Sequence, residues 1–177
     1  MGKLLFILVF LGTTSLAYSQ ETLNVFDIAR KGTVEQAKTI LKENPNAFNV
    51  VNDDGFSPLV LACYRGNNEV AKIVVASGSD IDRNSKMGTA LMAAIVKGNN
   101  EIAKLLIEKK ANVHSSDGNG TTALLYAVQF KNYEIASLLI KANADYNVKD
   151  NRGNSALDYA ILANDDKLIE ILKNKKL

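Results

Sequence analysis

Thr89-Ala90-Leu91-Met92-Ala93-Ala94-Ile95-Val96-Lys97-Gly98, followed by Asn99-Asn100-Glu101-Ile102-Ala103-Lys104-Leu105-Leu106, is the phrase from which the rest of the chain can be read. It describes two short helices with a stop between them. Thr89 offers a hydroxyl to cap a first turn. The residues after it are small and apolar, and Gly98 suits the left-handed position that ends a helix. Ile102, Leu105 and Leu106 then fall at i, i+3 and i+4, one face of a second helix. A single pair of this size has too little core to stand alone, so the first question is whether it recurs.

It does. Leu59, Leu91, Leu124 and Leu157 stand 32, 33 and 33 residues apart in Ser57-Pro58-Leu59, Thr89-Ala90-Leu91, Thr122-Ala123-Leu124 and Ser155-Ala156-Leu157. Second helices recur as Asn68-Glu69-Val70-Ala71-Lys72-Ile73, Asn100-Glu101-Ile102-Ala103-Lys104-Leu105 and Tyr133-Glu134-Ile135-Ala136-Ser137-Leu138. Upstream, Val25 takes the Leu position and Thr33-Val34-Glu35-Gln36-Ala37-Lys38 follows in register. Five copies result, at about 22–51, 52–84, 85–116, 117–149 and 150–177, with the outer two irregular. Pro58 sits at a helix start, where its missing N–H costs nothing. Lys131 and Asn164 replace the glycine stop in the last two copies. Ala37, Ala71, Ala103 and Ala136 predict close approach of neighbouring layers, whose interfaces supply most of the stability of such stacks.

The strings Asp53-Asp54-Gly55-Phe56-Ser57-Pro58-Leu59 with Gly78-Ser79-Asp80-Ile81-Asp82, Ala111-Asn112-Val113 and Asn143-Ala144-Asp145-Tyr146-Asn147 resemble the ankyrin repeat. The resemblance covers about residues 22 to 177. It implies an all-α fold, an ankyrin-repeat solenoid of about five helix–turn–helix repeats with β-hairpin-like loops. Two departures stand out. Val60, Met92, Leu125 and Asp158 occupy the family's His position, and the apolar ones are expected to pack. The segment Asp80 to Leu91 is one residue short, which predicts a tighter hairpin near Lys86-Met87-Gly88.

Ankyrin proteins bind partner proteins through hairpin tips and the inner face of their first helices. Carried over residue by residue, the resemblance implies hairpin contacts at Asp53, Asp54, Phe56, Lys86, Met87, Asn119, Thr121, Arg152 and Asn154. It implies helix contacts at Tyr64, Arg65, Val96, Lys97, Gln129, Phe130, Leu162 and Ala163. Phe56, Tyr64, Met87, Val96 and Phe130 make this set apolar and aromatic, as interface centres are. The partner is expected to be another protein, and the chain a monomer. Small secreted bacterial ankyrin proteins are similar in size and leader. That likeness implies a second reading, a stress-protective accessory of a redox enzyme such as a catalase.

Composition agrees with a folded domain: 177 residues, 47% hydrophobic and 23% charged. A net charge of +2 lacks the dense basic surface that nucleic acid requires. Residues 1–19 read as a signal peptide: Lys3, the apolar run Leu4 to Leu11, then Ala17 and Ser19 at −3 and −1 of a cut after Ser19. The run is too short to span a membrane. A periplasmic or secreted location follows as an expectation, with no stable membrane span after cleavage.

The chemistry-bearing residues are few. Cys63 is the only cysteine, so no internal disulfide can form, and its place in a first helix predicts packing. His114 is the only histidine and has no partner set for a metal. The loops from Asp117 and Asp145 begin like calcium loops. They lack Gly at the sixth position (Thr122, Asp150) and an acid at the twelfth (Val128, Ala156). No phosphate loop, catalytic carboxylate pair or Ser/His/Asp set can be assembled. No enzymatic activity, cofactor or metal is expected.

Overall fold

A computed structural model describes residues 24–174. The expected leader, residues 1–19, and the tail at Lys175-Lys176 lie outside the described residues. The five copies form five helix pairs. They are α1 (Val25–Lys31) with α2 (Val34–Glu43), α3 (Pro58–Arg65) with α4 (Asn68–Ala76), and α5 (Ala90–Val96) with α6 (Asn100–Glu108). Then come α7 (Ala123–Gln129) with α8 (Tyr133–Lys141) and α9 (Ala156–Leu162) with α10 (Asp166–Lys173). First helices pack side by side in one layer and second helices in another. Among the described residues there are no strands, only isolated antiparallel bridges at the hairpins.

Each boundary has a local cause. Ser57, Thr89, Thr122 and Ser155 accept the backbone N–H three residues on, capping α3, α5, α7 and α9. Thr33 and Gln36 close a reciprocal capping box on α2. Gly66 and Gly98 end α3 and α5 with φ of 75° and 67°, the left-handed stop. Lys131 and Asn164 hold that conformation without glycine, at 52° and 47°, and so do Lys110 and Asn143 after α6 and α8.

The core runs unbroken through the stack. Ala37, Ala71, Ala103 and Ala136 on the second helices are wholly buried. Val60, Met92 and Leu125 are buried where the family keeps His, while Asp158 joins a capping box with Ser155. Polar side chains set the register between copies. The Asn68 amide donates to Glu101 at 3.1 Å and that of Asn100 to Glu134 at 3.0 Å. Lys72 and Lys104 reach the same two carboxylates at 2.6 Å.

Candidate protein-binding groove

The hairpins are one-residue variations on a shared turn. In the fourth copy the Asp117 N–H donates to the Thr121 carbonyl at 3.0 Å. The Asp117 carboxylate accepts the N–H groups of Asn119 and Thr121 at 2.8 and 2.9 Å and the Tyr126 hydroxyl at 2.7 Å. In the fifth, Asp150 accepts from Arg152, Asn154 and the Tyr159 hydroxyl at 2.9, 3.1 and 2.7 Å. Burial, then the Asp117 bond, pushes the Tyr126 phenol up to about 12. The Tyr159 hydroxyl, with help from the Arg152 and Asn154 amides, holds the Asp150 carboxyl below its usual range.

In the second copy the anchoring residue is Asn52, not Asp53. Its side chain accepts the Phe56 N–H at 2.8 Å, which corrects the loop register read from Asp53 onward. Asp53 and Asp54 therefore stand exposed at the tip. The third copy carries the expected contraction: Ser85 pairs with Gly88 across only Lys86 and Met87. Gly88 has φ of 93° and lies so close over Met92 that a Cβ would strike its sulfur.

That contraction breaks a ladder. Gly118 N–H donates to the Lys86 carbonyl at 2.9 Å, and Asn151 N–H to the Asn119 carbonyl at 2.9 Å, joining the third, fourth and fifth hairpins edge to edge. Among the described residues no backbone bond joins the turn at 52–56 to the turn at 85–88. At this gap lies a groove of about 400 Å³. Val60, Leu61, Met92 and Ala93 contribute apolar surface to it, and Phe56, Tyr64, Met87, Val96 and Tyr126 also line it. Arg30, Asn52, Asp54 and Arg65 supply its polar lining.

The residues carried over from the resemblance thus divide. Asp54, Phe56, Tyr64, Arg65, Met87 and Val96 share the groove. Met87 and Tyr64 are 65% and 47% exposed, and the Lys97 ammonium rests 4.8 Å over the Tyr64 ring. Asn119, Gln129 and Arg152 line a separate, polar hollow with Thr121, which is only 7% exposed. Thr121 is a structural residue of the turn and offers little to a partner. Phe130 is 54% exposed but lines neither hollow; it stacks on Tyr126 with centroids 6.3 Å apart. Asp53, Lys86 and Asn154 line neither. Leu162 and Ala163 lie exposed on the last repeat.

Arg30 and Tyr126 escaped the sequence reading. Arg30 stands five residues after Val25, as Tyr64 stands five after Leu59, so the first copy's register would have found it. Tyr126 and Tyr159 recur in phase with Asp117 and Asp150, a signal visible only once the loop partner is known.

The chemistry-bearing residues are quiet. Cys63 is buried, and burial raises its thiol to about 12. His114 is exposed in a loop, its N–H donating to the Asn112 side chain at 2.9 Å. Among the described residues no group of three His, Cys, Asp or Glu could hold a metal, and no helix is long and apolar enough to cross a membrane.

A family model described as ankyrin repeats (3 copies) matches residues 25–117, and one described as ankyrin repeats (many copies) matches residues 106–160. Among curated proteins, the chain is 31% identical over 102 residues to the mouse (Mus musculus) Ankyrin repeat and SAM domain-containing protein 6. That match covers 56% of this chain and 12% of the relative. It is 45% identical over 102 residues to the E3 ubiquitin-protein ligase XBAT32 of Arabidopsis thaliana, covering 54% and 19%. A shorter match, 35% over 48 residues, is to the Acyl-CoA-binding domain-containing protein 6 homolog of Dictyostelium discoideum, covering 27% and 17%. The chain spans under a fifth of each of these relatives.

Proposed function

The chain belongs to the ankyrin-repeat family, and from that premise we propose that it is a protein–protein interaction module, not an enzyme, binding its partner through the concave first-helix face and the hairpin tips. The observation that carries the reading is the exposed apolar set Tyr64, Met87 and Phe130, with half-buried Val96, on neighbouring repeats. Such residues add nothing to the stack's core, and large exposed aromatics grouped together are what interface centres use. We place the binding outside the cytoplasm, on the strength of the leader-like residues 1–19.

The test is capture from the extracytoplasmic fraction of native cells, with the double variant Tyr64→Ala/Phe130→Ala as control. The expected result is loss of the captured partner with unchanged helical circular dichroism. Undiminished capture by the double variant overturns this face as the binding surface. A catalase as the captured protein narrows the reading to protection of a redox enzyme.

A further inference from the structure

Resting on the binding reading above, we propose that the groove between the second and third repeats takes an acidic segment of a partner protein. A bulky apolar side chain of that segment seats against Phe56, Tyr64 and Met87, and flanking carboxylates lie along Arg30, Arg65 and Lys97.

Charge along the helix wall is the first argument. At the two positions that close each first helix, the chain has Arg30 and Lys31, then Tyr64 and Arg65, then Val96 and Lys97. The same positions in the last two repeats are Gln129 and Phe130, then Leu162 and Ala163. Arg30 and Arg65 line the groove, Lys97 lies over the Tyr64 ring at its edge, and the corresponding positions further along carry no cation. Asp27 meets Arg30 at 3.3 Å and offsets one of them. Arg65 and Lys97 form no ion pair among the described residues. On a chain whose net charge is only +2, this is a local concentration.

The cavity is the second argument. A volume of about 400 Å³ lies within the roughly 300–1,000 Å³ of ligand pockets. Its lining joins the buried apolar Val60, Leu61, Met92 and Ala93 to the exposed charged Asp54 and Arg65, which suits an anchor side chain with polar neighbours. Met87, unbranched and largely exposed at the contracted tip, can adjust to the shape of that anchor. Asp53 and Asp54 on the opposite hairpin repel carboxylates, so the segment's acids belong on the helix side. That asymmetry fixes the segment's placement across the groove. It also speaks against a phosphate backbone, which spreads negative charge over both walls.

A displayed library of random 12-residue peptides panned against the full chain tests this. Selection is repeated on Arg65→Glu/Lys97→Glu and on Tyr64→Ala, each checked by thermal circular dichroism. The expected winners carry Asp or Glu beside an aromatic or large aliphatic residue and vanish on both variants. A labelled winner should bind the charge-reversed variant about tenfold more weakly, the equivalent of about 1.4 kcal/mol. Its affinity for the unaltered protein should fall as salt rises from low to high, a readout that needs no variant to fold. Winners without acids, or with Lys and Arg, that still depend on Tyr64 overturn the acidic partner and leave the binding face standing. Winners indifferent to Tyr64, or no winners at all, overturn this proposal and count against the face as well.

Discussion

The fourth and fifth repeats and the second and third repeats share one repeated pattern of about 33 residues, yet their hairpins are held in opposite ways. In the later pair a buried aspartate at the turn collects two backbone N–H groups and a tyrosine hydroxyl from its own helix. In the earlier pair Asn52 and Ser85 stand at that place, and Leu61 and Ala93 replace the tyrosines. The backbone reverses the contrast. The earlier pair ends three of its four helices on Gly66, Gly78 and Gly98 and the fourth on Lys110, whereas Lys131, Asn143 and Asn164 hold the left-handed stops of the later pair. The earlier loops keep neutral ties, Asn52 to the Phe56 N–H and Ser85 to the Met87 N–H, and the one-residue contraction leaves a gap in the hairpin ladder. The groove lies at that gap, between the second and third hairpins.

The largest test of the comparison removes an anchor. Asp117→Ala leaves the Tyr126 hydroxyl and two turn N–H groups without their partner. It should lower stability in urea by about 2–3 kcal/mol. Asn52→Ala, which frees a single N–H from its side-chain acceptor, should cost about 1 kcal/mol. Equal losses at the two sites would erase the distinction drawn here.

Acid should act on the same half. The folded Asp150 carboxyl lies below its ordinary value of 3.8, so its contribution is present above that value and is lost as the pH falls through the lower folded value. Protection of the Arg152 and Asn154 amides against exchange should fall as the pH drops below that ordinary value, and Tyr159→Phe should move that onset upward. An onset unchanged by Tyr159→Phe would detach the carboxyl's shift from the tyrosine.

A smaller effect is expected from restoring the missing residue. A glycine inserted between Met87 and Gly88 gives the third hairpin the length of its neighbours. One new bond to the second hairpin should then raise stability by about 1 kcal/mol and slow exchange of the Lys86 amide. Peptide binding in the groove should be lost with it. Continued binding would show that the contraction does not create the site. Smallest of all, Lys110→Gly relieves a left-handed lysine, and after the entropy cost of glycine it should add about 0.5–1 kcal/mol in the same denaturation assay.

Much of this was legible in the chain. Helix pairs, caps, the glycine stops and the contracted hairpin all follow from residues close in sequence, because capping and backbone conformation are decided within a turn or two. The groove was half legible. Position within a repeat says which side chains point inward, and Tyr64, Met87 and Val96 do meet in one groove. It does not say which are consumed by their own loop. Thr121 is buried in its turn, and Phe130 stacks on Tyr126 without lining the groove. Arg30 was missed because the first copy has Val25 in place of the marker leucine, and that weak match left its helix out of the contact set.

The sequence by itself determined the repeat, its five-fold recurrence and the positions of its helices, because each rests on local periodicity and end chemistry repeated in phase. Only the tertiary structure decided that Asn52 anchors the second turn, that Asp117 and Asp150 are bound to tyrosines nine residues on, and that one hairpin stands apart from its neighbour. Those outcomes depend on bonds between segments whose spacing in the chain carries no period of its own. They depend as well on a gap, a property of how neighbours fit, to which no single residue corresponds.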